Sequence, residues 1–335
     1  MSRIGLLTTS FPRHAGDYAG SFVADRVGSL VAEGHRVEVV AAGEASTRTS
    51  DCGSEGVTVT RLPALAGLFY GAGAPEMLES SGCAWIAAVA FFSALAAEVR
   101  SRAPSWDLVE SHWLVPAAVA ASAGAPGHPR RAWAHSGDVA LLERIPGGRA
   151  IARLLVGDGT DLRFVSPALR DRFAALAGRV VGRVEALPVT SPLFSARSGR
   201  DGEMRRRFGL SAPTVLSIGR LVPIKGHARL VRAAATAVAK PEVVILGDGP
   251  ERGHLEELSG RLGVRLRLPG FVPRAEVAAW LRAADLFALP SIQLPNGRAE
   301  GAPTSLREAA AVGIPCVATP DVAEIVRAID ALGLT

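Results

Sequence analysis

Residues 291–319 read SIQLPNGRAEGAPTSLREAAAVGIPCVAT, and the order of elements around this stretch decides the fold. An apolar run over residues 285–289 precedes it and is typical of a buried strand. A Pro/Gly-rich loop follows, and a helix is predicted over residues 306–312, which the next Gly-Ile-Pro sequence stops. Strand, polar loop and helix in this order predict one repeat of an α/β sheet.

Two carboxylates in this stretch, Glu300 and Glu308, are separated by seven residues. Glu300 lies just before the predicted helix, and Glu308 lies near its second turn. Ligands of open α/β sheets bind beyond the carboxyl ends of the strands, and a helix N-terminus there favours anions. The arrangement suits a ligand that carries both negative charge and hydroxyl groups. On spacing alone, a solvated loop followed by a surface helix would also explain both residues.

The stretch resembles the E-x7-E signature of the retaining, nucleotide-sugar-dependent glycosyltransferases of family 4, which have the GT-B fold. The positions that match the pattern are Glu300, Gly301, Pro303, Glu308, Ala309, Gly313 and Pro315. The resemblance implies an α/β protein with two Rossmann-like parallel-sheet domains that face each other across a cleft. The Ser-Ile-x-x-Pro-Asn-Gly-x-x-Glu-Gly form of the loop is closest to the exopolysaccharide, colanic-acid type branch.

Composition narrows the classes of protein that need to be considered. The chain has 335 residues, enough for two domains, and 48% of them are hydrophobic, enough to fill two cores. The net charge of +5 and a sequence pI of about 9.7 fit an acidic ligand or an anionic membrane face. Aromatic residues make up only 5%, and no basic stripe alternates with stacking rings. A nucleic-acid partner is therefore not expected.

The cysteines and the apolar segments point to a cytoplasmic protein. Cys52, Cys83 and Cys316 are few and lack metal-ligand spacing, so reduced thiols are expected. The apolar run at the N-terminus is too short for a signal peptide. The longest apolar run, residues 84–97, falls short of the roughly 20 residues that span a membrane. We expect a buried helix there.

The first half of the chain alternates predicted strands and helices. Residues 3–8, 21–33 and 37–42 predict a strand, a helix and a strand, which is a βαβ unit of a parallel sheet. The later predicted strands are residues 57–62, 106–110, 131–134, 162–165 and 180–187. Residues 64–81 are predicted as a loop. Residues 188–200 are polar and predicted as a linker, so the predicted domains are 1–190, on the acceptor side, and 191–335, which binds the nucleotide sugar.

Gly20 and His135 are the candidate site residues of the first half. Gly20 would let the backbone approach a phosphate, although most such glycines only make a turn. His135 ends a predicted strand, where clefts form, and a histidine that merely caps the next helix is the alternative. The resemblance favours a functional His135, because the family carries His-Gly-x-Asp here and its histidine contacts the donor sugar. This chain has Ser136-Gly137 in place of the expected order.

The loop after the predicted strand 214–218 carries two basic residues, Arg220 and Lys225. An arginine offers a planar bidentate fork and a lysine a point charge, the chemistry that a diphosphate needs. Two solvated basic side chains are the alternative. The run G-R-L-x-x-x-K-G is similar to a signature of the same family. Two further loops match it: one contains Gly249, and the other, residues 270–273, holds the nucleotide base in the resembled enzymes.

The resemblance implies a role for each matched residue. Arg220 and Lys225 stabilise the charge on the leaving diphosphate, and His135 contacts the sugar. Glu300, with the backbone of Gly301, Ala302 and Pro303, holds sugar hydroxyls, and Glu308 accepts hydrogen bonds from the ribose. The other nucleotide-sugar-binding positions are Gly20, Gly219, Gly249 and Val272.

The predicted activity is that of a retaining, metal-independent hexosyltransferase. The sequence has no Asp-x-Asp motif, and no metal or other cofactor is predicted. The nucleoside diphosphate sugar is a co-substrate, and a lipid-linked saccharide or polysaccharide precursor is the expected acceptor. The expected location is cytoplasmic, with peripheral contact at the inner membrane face.

Two departures from the family pattern leave alternatives open. After Thr319 the chain reads Pro-Asp-Val-Ala-Glu324 in place of a Gly-Gly-containing turn. The family also continues with another strand and helices beyond the position of Thr335, which predicts a C-terminally short second domain. A truncated, non-catalytic sugar-nucleotide binder is therefore one alternative, recognisable by binding without turnover. A GT-B sugar-nucleotide epimerase is another, recognisable by donor conversion without an acceptor.

Overall fold

The computed structural model describes residues 1–14, 17–43, 49–51, 56–64, 68–70, 82–196, 199, 201–295, 300 and 303–334. These residues form two compact units, Met1–Thr190 and Ser191–Thr335. Each unit is an α/β domain built on a sheet whose strands are mainly parallel. The predicted fold class is confirmed in this respect. Most of the loop predicted over residues 64–81 lies outside the described residues.

The sheet of the first unit grows from the predicted βαβ start. Its described strands are β1 (Arg3–Thr8), β2 (Arg36–Gly43), β3 (Thr49–Asp51), β4 (Val57–Pro63), β5 (Leu108–His112), β6 (Arg130–Ala134), β7 (Asp161–Phe164) and β8 (Arg183–Val184). Their order is β3-β4-β2-β1-β5-β6-β7-β8. The neighbours pair in parallel, except that β3 is antiparallel to β4. Strand β8 is shorter than the predicted 180–187, and both of its residues are exposed.

Helices cover both faces of this sheet. They are α1 (Ser21–Ala32), α2 (Gly82–Arg102), α3 (Val119–Gly124), α4 (Gly137–Arg144), α5 (Gly148–Gly157) and α6 (Pro167–Ala177). Ile4 and Leu6 of β1 pack in the cluster that contains α1. Leu7, on the opposite face, packs in the cluster that contains α2 and α3. Burial on both faces explains why β1 and β2 are nearly continuous apolar runs.

Helix α2 corrects an expectation about burial. A helix is present over the predicted residues 84–97, but only 22% of its most apolar 18-residue window is buried. Phe91, Leu95 and Val99 face the core, whereas Ile86 and Val89 are 73% and 61% exposed. The buried positions recur every four residues, so the helix packs along one face only and its other apolar residues stay outside. Within the described part of the chain, Gly82–Ser105 is the one helix that is long and apolar enough to cross a membrane.

The second unit has a parallel sheet in the order β11-β10-β9-β12-β13. The strands are β9 (Thr214–Ile218), β10 (Glu242–Leu246), β11 (Arg265–Gly270), β12 (Leu286–Ala288) and β13 (Cys316–Val317). The helices are α7 (Gly202–Arg207), α8 (His227–Thr236), α9 (Arg252–Leu262), α10 (Arg274–Ala283), α11 (Thr304–Val312) and α12 (Val322–Asp330). The helices pack around β9 and β10, whose residues are buried with the exception of Ile218.

Candidate functional site

The strand order of the second unit marks the position beside β9 where open α/β sheets bind ligands. Of the strands in this unit, β9 comes first along the chain. β10 lies on one side of it and β12 on the other, so strands are added to the sheet on both sides of β9. The connections that leave β9 and β12 therefore lead towards opposite sides of the sheet, and open α/β sheets bind ligands at such a point. The loop after β9 carries Arg220 and Lys225. The loop after β12 leads to Glu300 and then to α11, which carries Glu308.

Lys225 and Glu300 meet in this part of the second unit. The Lys225 Nζ donates a hydrogen bond to Glu300 Oε1, and Ser291 Oγ donates one to Glu300 Oε2. The two charged side chains are only 16% and 18% exposed. The backbone N–H of Ile292 donates to the carbonyl of Ile224 at 2.9 Å, which ties the two loops together. The structure thus joins two predicted site residues that are 75 positions apart in sequence.

Glu308 is buried and has a partner that the sequence analysis missed. Its Oε1 accepts hydrogen bonds from Arg274 Nε at 3.1 Å and Nη2 at 2.9 Å. The Arg274 guanidinium also lies over the Phe194 ring, 4.9 Å from its centroid. Arg274 begins α10, directly after the loop over residues 270–273 that contains Val272. It therefore connects the predicted base-binding loop to the predicted ribose carboxylate. The sequence did contain one signal for Arg274, because it is a basic residue immediately after that loop.

The loops after β9 and β10 are bound to each other, and the Gly247 N–H after β10 donates to the carbonyl of Gly270, the last residue of β11, at 2.8 Å. The Gly219 N–H donates to the last carbonyl of β10 at 2.9 Å, and the Leu221 N–H donates to the Asp248 carbonyl at 2.9 Å. Gly249 leaves no room for a side chain, because a Cβ there would lie 2.5 Å from the Leu221 carbonyl oxygen. Val272 is half-buried at the start of the neighbouring loop. The three predicted loop positions are thus held at one edge of the sheet.

The remaining predicted residues of the second unit lie around the start of α11. Gly301 and Ala302 fall outside the described residues, and Pro303 directly precedes the helix. Ser305 Oγ donates to the Ile218 carbonyl at 3.3 Å, so the first turn of α11 packs on the end of β9. Arg220 is half-buried just beyond that strand end. Within the described ranges, no group of three or more His, Cys, Asp or Glu side chains is arranged to hold a metal ion.

A buried histidine beside the basic loop was not considered in the sequence analysis. His227 is the first residue of α8, is fully buried, and has its Nδ1 3.3 Å from Ser217 Oγ. Burial, and then the charge of Lys225, lower the pKa of His227 to about 3. The ring is therefore neutral at physiological pH and adds no positive charge beside Lys225.

In the first unit, His135 pairs with a second histidine. His112 Nδ1 and His135 Nε2 are 3.1 Å apart. The two rings are nearly parallel, at 15°, with centroids 5.2 Å apart. The rings of Phe22 and Trp113 lie 4.8 and 4.7 Å from the His135 ring. His135 is therefore held in an aromatic cluster at the carboxyl ends of β5 and β6.

Gly20 begins α1 in a left-handed conformation, with φ 70°. A Cβ at this position would lie 2.2 Å from the Ser10 carbonyl oxygen. The tight packing of the turn is therefore enough to explain why this residue is a glycine. This is the simpler of the two interpretations given in the sequence analysis. Its predicted contact with a phosphate stays a prediction.

The fold has a close counterpart among solved structures. The crystal structure of Anabaena HepE in complex with UDP and glucose is similar over 99% of this chain and 89% of that one, with a TM-score of 0.67 and 19% identity. Together with the two parallel-sheet units, this similarity defines the GT-B fold.

Sequence similarity identifies the family. A family model described as "Glycosyl transferases group 1" matches residues 212–332. The GDP-mannose-dependent alpha-(1-6)-phosphatidylinositol monomannoside mannosyltransferase of Mycobacterium tuberculosis is 30% identical over 338 residues, covering 95% of this chain and 80% of the relative. The amylovoran biosynthesis glycosyltransferase AmsK of Erwinia amylovora is 34% identical over 122 residues, 35% of this chain and 30% of AmsK.

The chain belongs to the group 1 glycosyltransferases, which form family 4, and the predicted family is confirmed. It is a hexosyltransferase whose donor is a nucleotide sugar. The roles of the individual site residues stay predictions and are developed below.

Proposed function

We propose that this enzyme transfers a sugar, with retention of configuration, from a nucleoside diphosphate sugar to a hydroxyl of a lipid-linked saccharide or polysaccharide precursor. The observation that carries the proposal is the Lys225–Glu300 pair between the loops that follow β9 and β12. The names of the relatives support the acceptor class. The mycobacterial relative acts on a phosphatidylinositol monomannoside, and AmsK acts in amylovoran biosynthesis.

The diphosphate is proposed to bind at Arg220 and Lys225. In the structure, Lys225 is neutralised by Glu300. Phosphate oxygens of an incoming donor would replace Glu300 as the partner of the Lys225 ammonium, and the released carboxylate would accept hydrogen bonds from sugar hydroxyls. Since both side chains are largely shielded from water, the charge of Lys225 acts on the phosphate more strongly than it would in solvent. Two protein cations in this place make a metal ion unnecessary in the proposed reaction.

The nucleoside is proposed to lie along α10 and α11. Glu308, held by Arg274, would accept hydrogen bonds from the ribose hydroxyls. The backbone around Val272 would contact the base, and the backbone of Gly219 and Gly249 would contact the nucleotide sugar. The backbone of Gly301, Ala302 and Pro303 would bind sugar hydroxyls beside Glu300. Gly20 and His135 of the first unit are proposed to contact the phosphate and the sugar, respectively.

The proposed chemical step is a displacement on one face of the sugar. The bond from the anomeric carbon to the phosphate oxygen breaks, and a bond from that carbon to the acceptor oxygen forms on the same side. The acceptor hydroxyl proton moves to the leaving phosphate oxygen, so the products are a nucleoside diphosphate and a glycoside of unchanged configuration. Arg220 and Lys225 would stabilise the negative charge that grows on the phosphate.

The test is a transfer assay on the purified chain in EDTA with a panel of UDP-, GDP- and ADP-sugars and lipid-linked acceptors. GDP-mannose is the first donor to test, because the mycobacterial relative depends on it. We expect release of nucleoside diphosphate that requires an acceptor, and NMR of the product should show the donor's anomeric configuration. Inverted configuration, or a covalent sugar on the protein in mass spectra, would contradict the mechanism. Binding without turnover would favour the non-catalytic alternative, and donor conversion without acceptor the epimerase.

We further propose a cytoplasmic location with peripheral contact at an anionic membrane face through α2. Ile86 and Val89 are exposed there, and Trp85 is 42% exposed; tryptophan favours membrane interfaces. The net charge of +5 adds attraction to anionic lipids.

Vesicle flotation tests this membrane contact. We expect the wild type to bind phosphatidylglycerol vesicles and the double variant Ile86→Asp/Val89→Asp to lose this binding. The control Val238→Asp, at an 84% exposed site of the second unit, should bind as the wild type does. Equal flotation of all three proteins would exclude this surface.

A further inference from the structure

The histidine pair of the first unit contains a residue to which no role has been given so far. We propose that Glu110 and His112 are positioning residues that determine which nitrogen of His135 carries the proton. The inference rests on the proposed contact between His135 and the donor sugar. It extends that proposal to two buried side chains that would not touch the substrate.

Glu110 supplies a fixed negative charge in the interior of the first unit. Its side chain is fully buried. Its carboxylate accepts hydrogen bonds from Arg26 Nε at 2.8 Å and Nη2 at 3.0 Å, from Arg131 Nη1 at 3.1 Å, and from Trp133 Nε1 at 3.1 Å. Burial alone would raise the pKa of Glu110, but the contacts with His112 and Arg26 outweigh burial and hold the pKa well below its usual range. The carboxylate is therefore ionised.

The charge of Glu110 orients the proton of His112. His112 Nε2 lies 3.6 Å from Glu110 Oε1. Burial lowers the pKa of His112, so its ring is neutral and carries one proton. At this separation the two groups do not form a hydrogen bond. The negative charge of Glu110 nevertheless attracts a proton on Nε2 and would repel a lone pair there, so the geometry favours the tautomer with its proton on Nε2. The Nδ1 of His112 is then left with a lone pair.

The lone pair on His112 Nδ1 fixes the tautomer of His135. At 3.1 Å, an acceptor at His112 Nδ1 requires a donor at His135 Nε2. When His135 carries a single proton, that proton is on Nε2 and Nδ1 is the acceptor. That nitrogen suits a partner which donates a hydrogen bond, such as a sugar hydroxyl. In proteins, the hydrogen bond made by one ring nitrogen of a histidine commonly determines which nitrogen carries the proton.

The backbone around both histidines shows that the arrangement is held in place by the fold. Trp113 and Ser136, which directly follow the two histidines, have φ values of 81° and 93°. Positive φ is unfavourable for residues with a Cβ, and such residues concentrate at functional sites. The buried Asp138 joins the two loops, because it accepts hydrogen bonds from the Leu114 N–H at 2.8 Å and the His135 N–H at 3.1 Å.

Nitrogen-15 NMR of the histidine-labelled full chain tests the inference without any substrate. The His135 resonances are assigned by their loss in His135→Asn. We expect His135 protonated at Nε2 in the wild type. In His112→Phe, whose ring keeps the stacking but has no acceptor, we expect a mixture of the two His135 tautomers. In His112→Asn, whose side-chain oxygen can take the place of Nδ1, we expect the wild-type tautomer to return.

Kinetics of the same variants provide the second measurement. We expect kcat to fall about tenfold in His112→Phe, the loss of one hydrogen bond to a positioned group, with a smaller change in KM for the donor and with recovery in His112→Asn. His254→Asn, an exposed histidine of α9, serves as the control and should match the wild type. Circular dichroism and melting temperatures establish that each variant is folded.

The outcomes separate this inference from the proposed function. A wild-type His135 protonated at Nδ1 would overturn the inference even in an active enzyme. So would a His135 tautomer that is the same in His112→Phe as in the wild type. If His112→Phe does not fold, the inference stands or falls with the tautomer measured in the wild type. The expected tautomers in a protein that transfers no sugar would instead overturn the proposed function of the site.

Discussion

At the scale of single residues, the buried carboxylate of Glu308 depends on Arg274. We expect Arg274→Ala to lower the free energy of unfolding by about 1.5–3 kcal/mol, because it removes hydrogen bonds to a charged group that is 6% exposed. It should also weaken nucleotide binding, since Glu308 would lose its orientation. Arg274→Lys should recover only part of the stability and only part of the nucleotide affinity, because lysine lacks the planar fork of arginine. Urea unfolding and nucleotide titration measure the two effects.

A matched control for Arg274 is available on the surface of the same unit. Arg261 pairs with Glu257 at 3.9 Å one helical turn away, and both side chains are more than 60% exposed. Such pairs contribute about 0.3–0.5 kcal/mol, so Arg261→Ala should leave nucleotide binding unchanged. If Arg274→Ala behaves like Arg261→Ala in both measurements, the assignment of Arg274 to the nucleotide site is wrong.

His227 gives the stability of the protein a defined dependence on pH. Its pKa is about 3 in the folded chain and about 6.5 in the unfolded chain. Between these values the unfolded state binds the extra proton, so the stabilising contribution of the neutral ring is complete above about pH 6.5 and is lost as the pH falls towards 3. We expect unfolding free energies, measured in urea from pH 7.5 to 4.5, to decrease over this window.

The variant His227→Gln isolates the contribution of this histidine. Without the titrating ring, the decrease between pH 7.5 and 4.5 should become shallower, although His112, whose pKa is also lowered by burial, still contributes in the same direction. A variant with the same pH dependence as the wild type would show that His227 is accessible to protons in the folded state.

The site residues predicted from sequence are those that lie in short local motifs. Lys225 and Glu300 each belong to a recognisable loop, and the structure places them in contact. Arg274 and His112 were missed for a physical reason. Each acquires its partner only through the fold, Arg274 from a helix 34 positions away and His112 from a strand end 23 positions away. The position of Arg274 directly after the loop over residues 270–273 was a local signal for that residue, but no local pattern indicates either partner.

At the scale of elements, the strands that carry motifs were predicted well because they are buried on both faces. β9 was predicted with its observed limits, residues 214–218. Prediction failed where burial is one-sided or absent. The predicted strand over residues 180–187 is reduced to two exposed residues, and an all-apolar sequence gave no indication that α2 would be buried along one face only.

Helix α12 was not predicted, yet it completes the core of the second unit. Ile325 and Ile329, one turn apart, are 1% and 0% exposed and join the cluster formed with α8. We expect Ile329→Ala to cost about 2–5 kcal/mol, the range for large-to-small substitutions in well-packed cores. Val238→Ala, at a position that is 84% exposed, should change the unfolding free energy by less than about 0.5 kcal/mol. Similar effects of both substitutions would mean that α12 does not pack as described.

At the scale of the whole molecule, the basic composition fits an acidic ligand or an anionic membrane face, and the proposed diphosphate site is where we expect such a ligand to bind. The sequence contains 37 lysines and arginines, but its lysines are Lys225 and Lys240. Lys225 is paired with Glu300 in the proposed diphosphate site. Lys240 is exposed and donates to the Ala235 carbonyl at 2.9 Å. The second lysine is therefore a natural control for the first, within the same unit and of the same chemical type.

The most direct test of the central claim is the thermal stabilisation of the chain by UDP, GDP and ADP in EDTA, measured for wild type, Lys225→Ala and Lys240→Ala. A ligand that binds only the folded state adds about 2.7 kcal/mol at a hundred times its Kd, which raises Tm by several degrees. We expect one nucleotide to raise the Tm of the wild type and of Lys240→Ala, and to have little effect on Lys225→Ala. No stabilisation by any nucleotide, or equal stabilisation of all three proteins, would contradict a diphosphate site at Lys225.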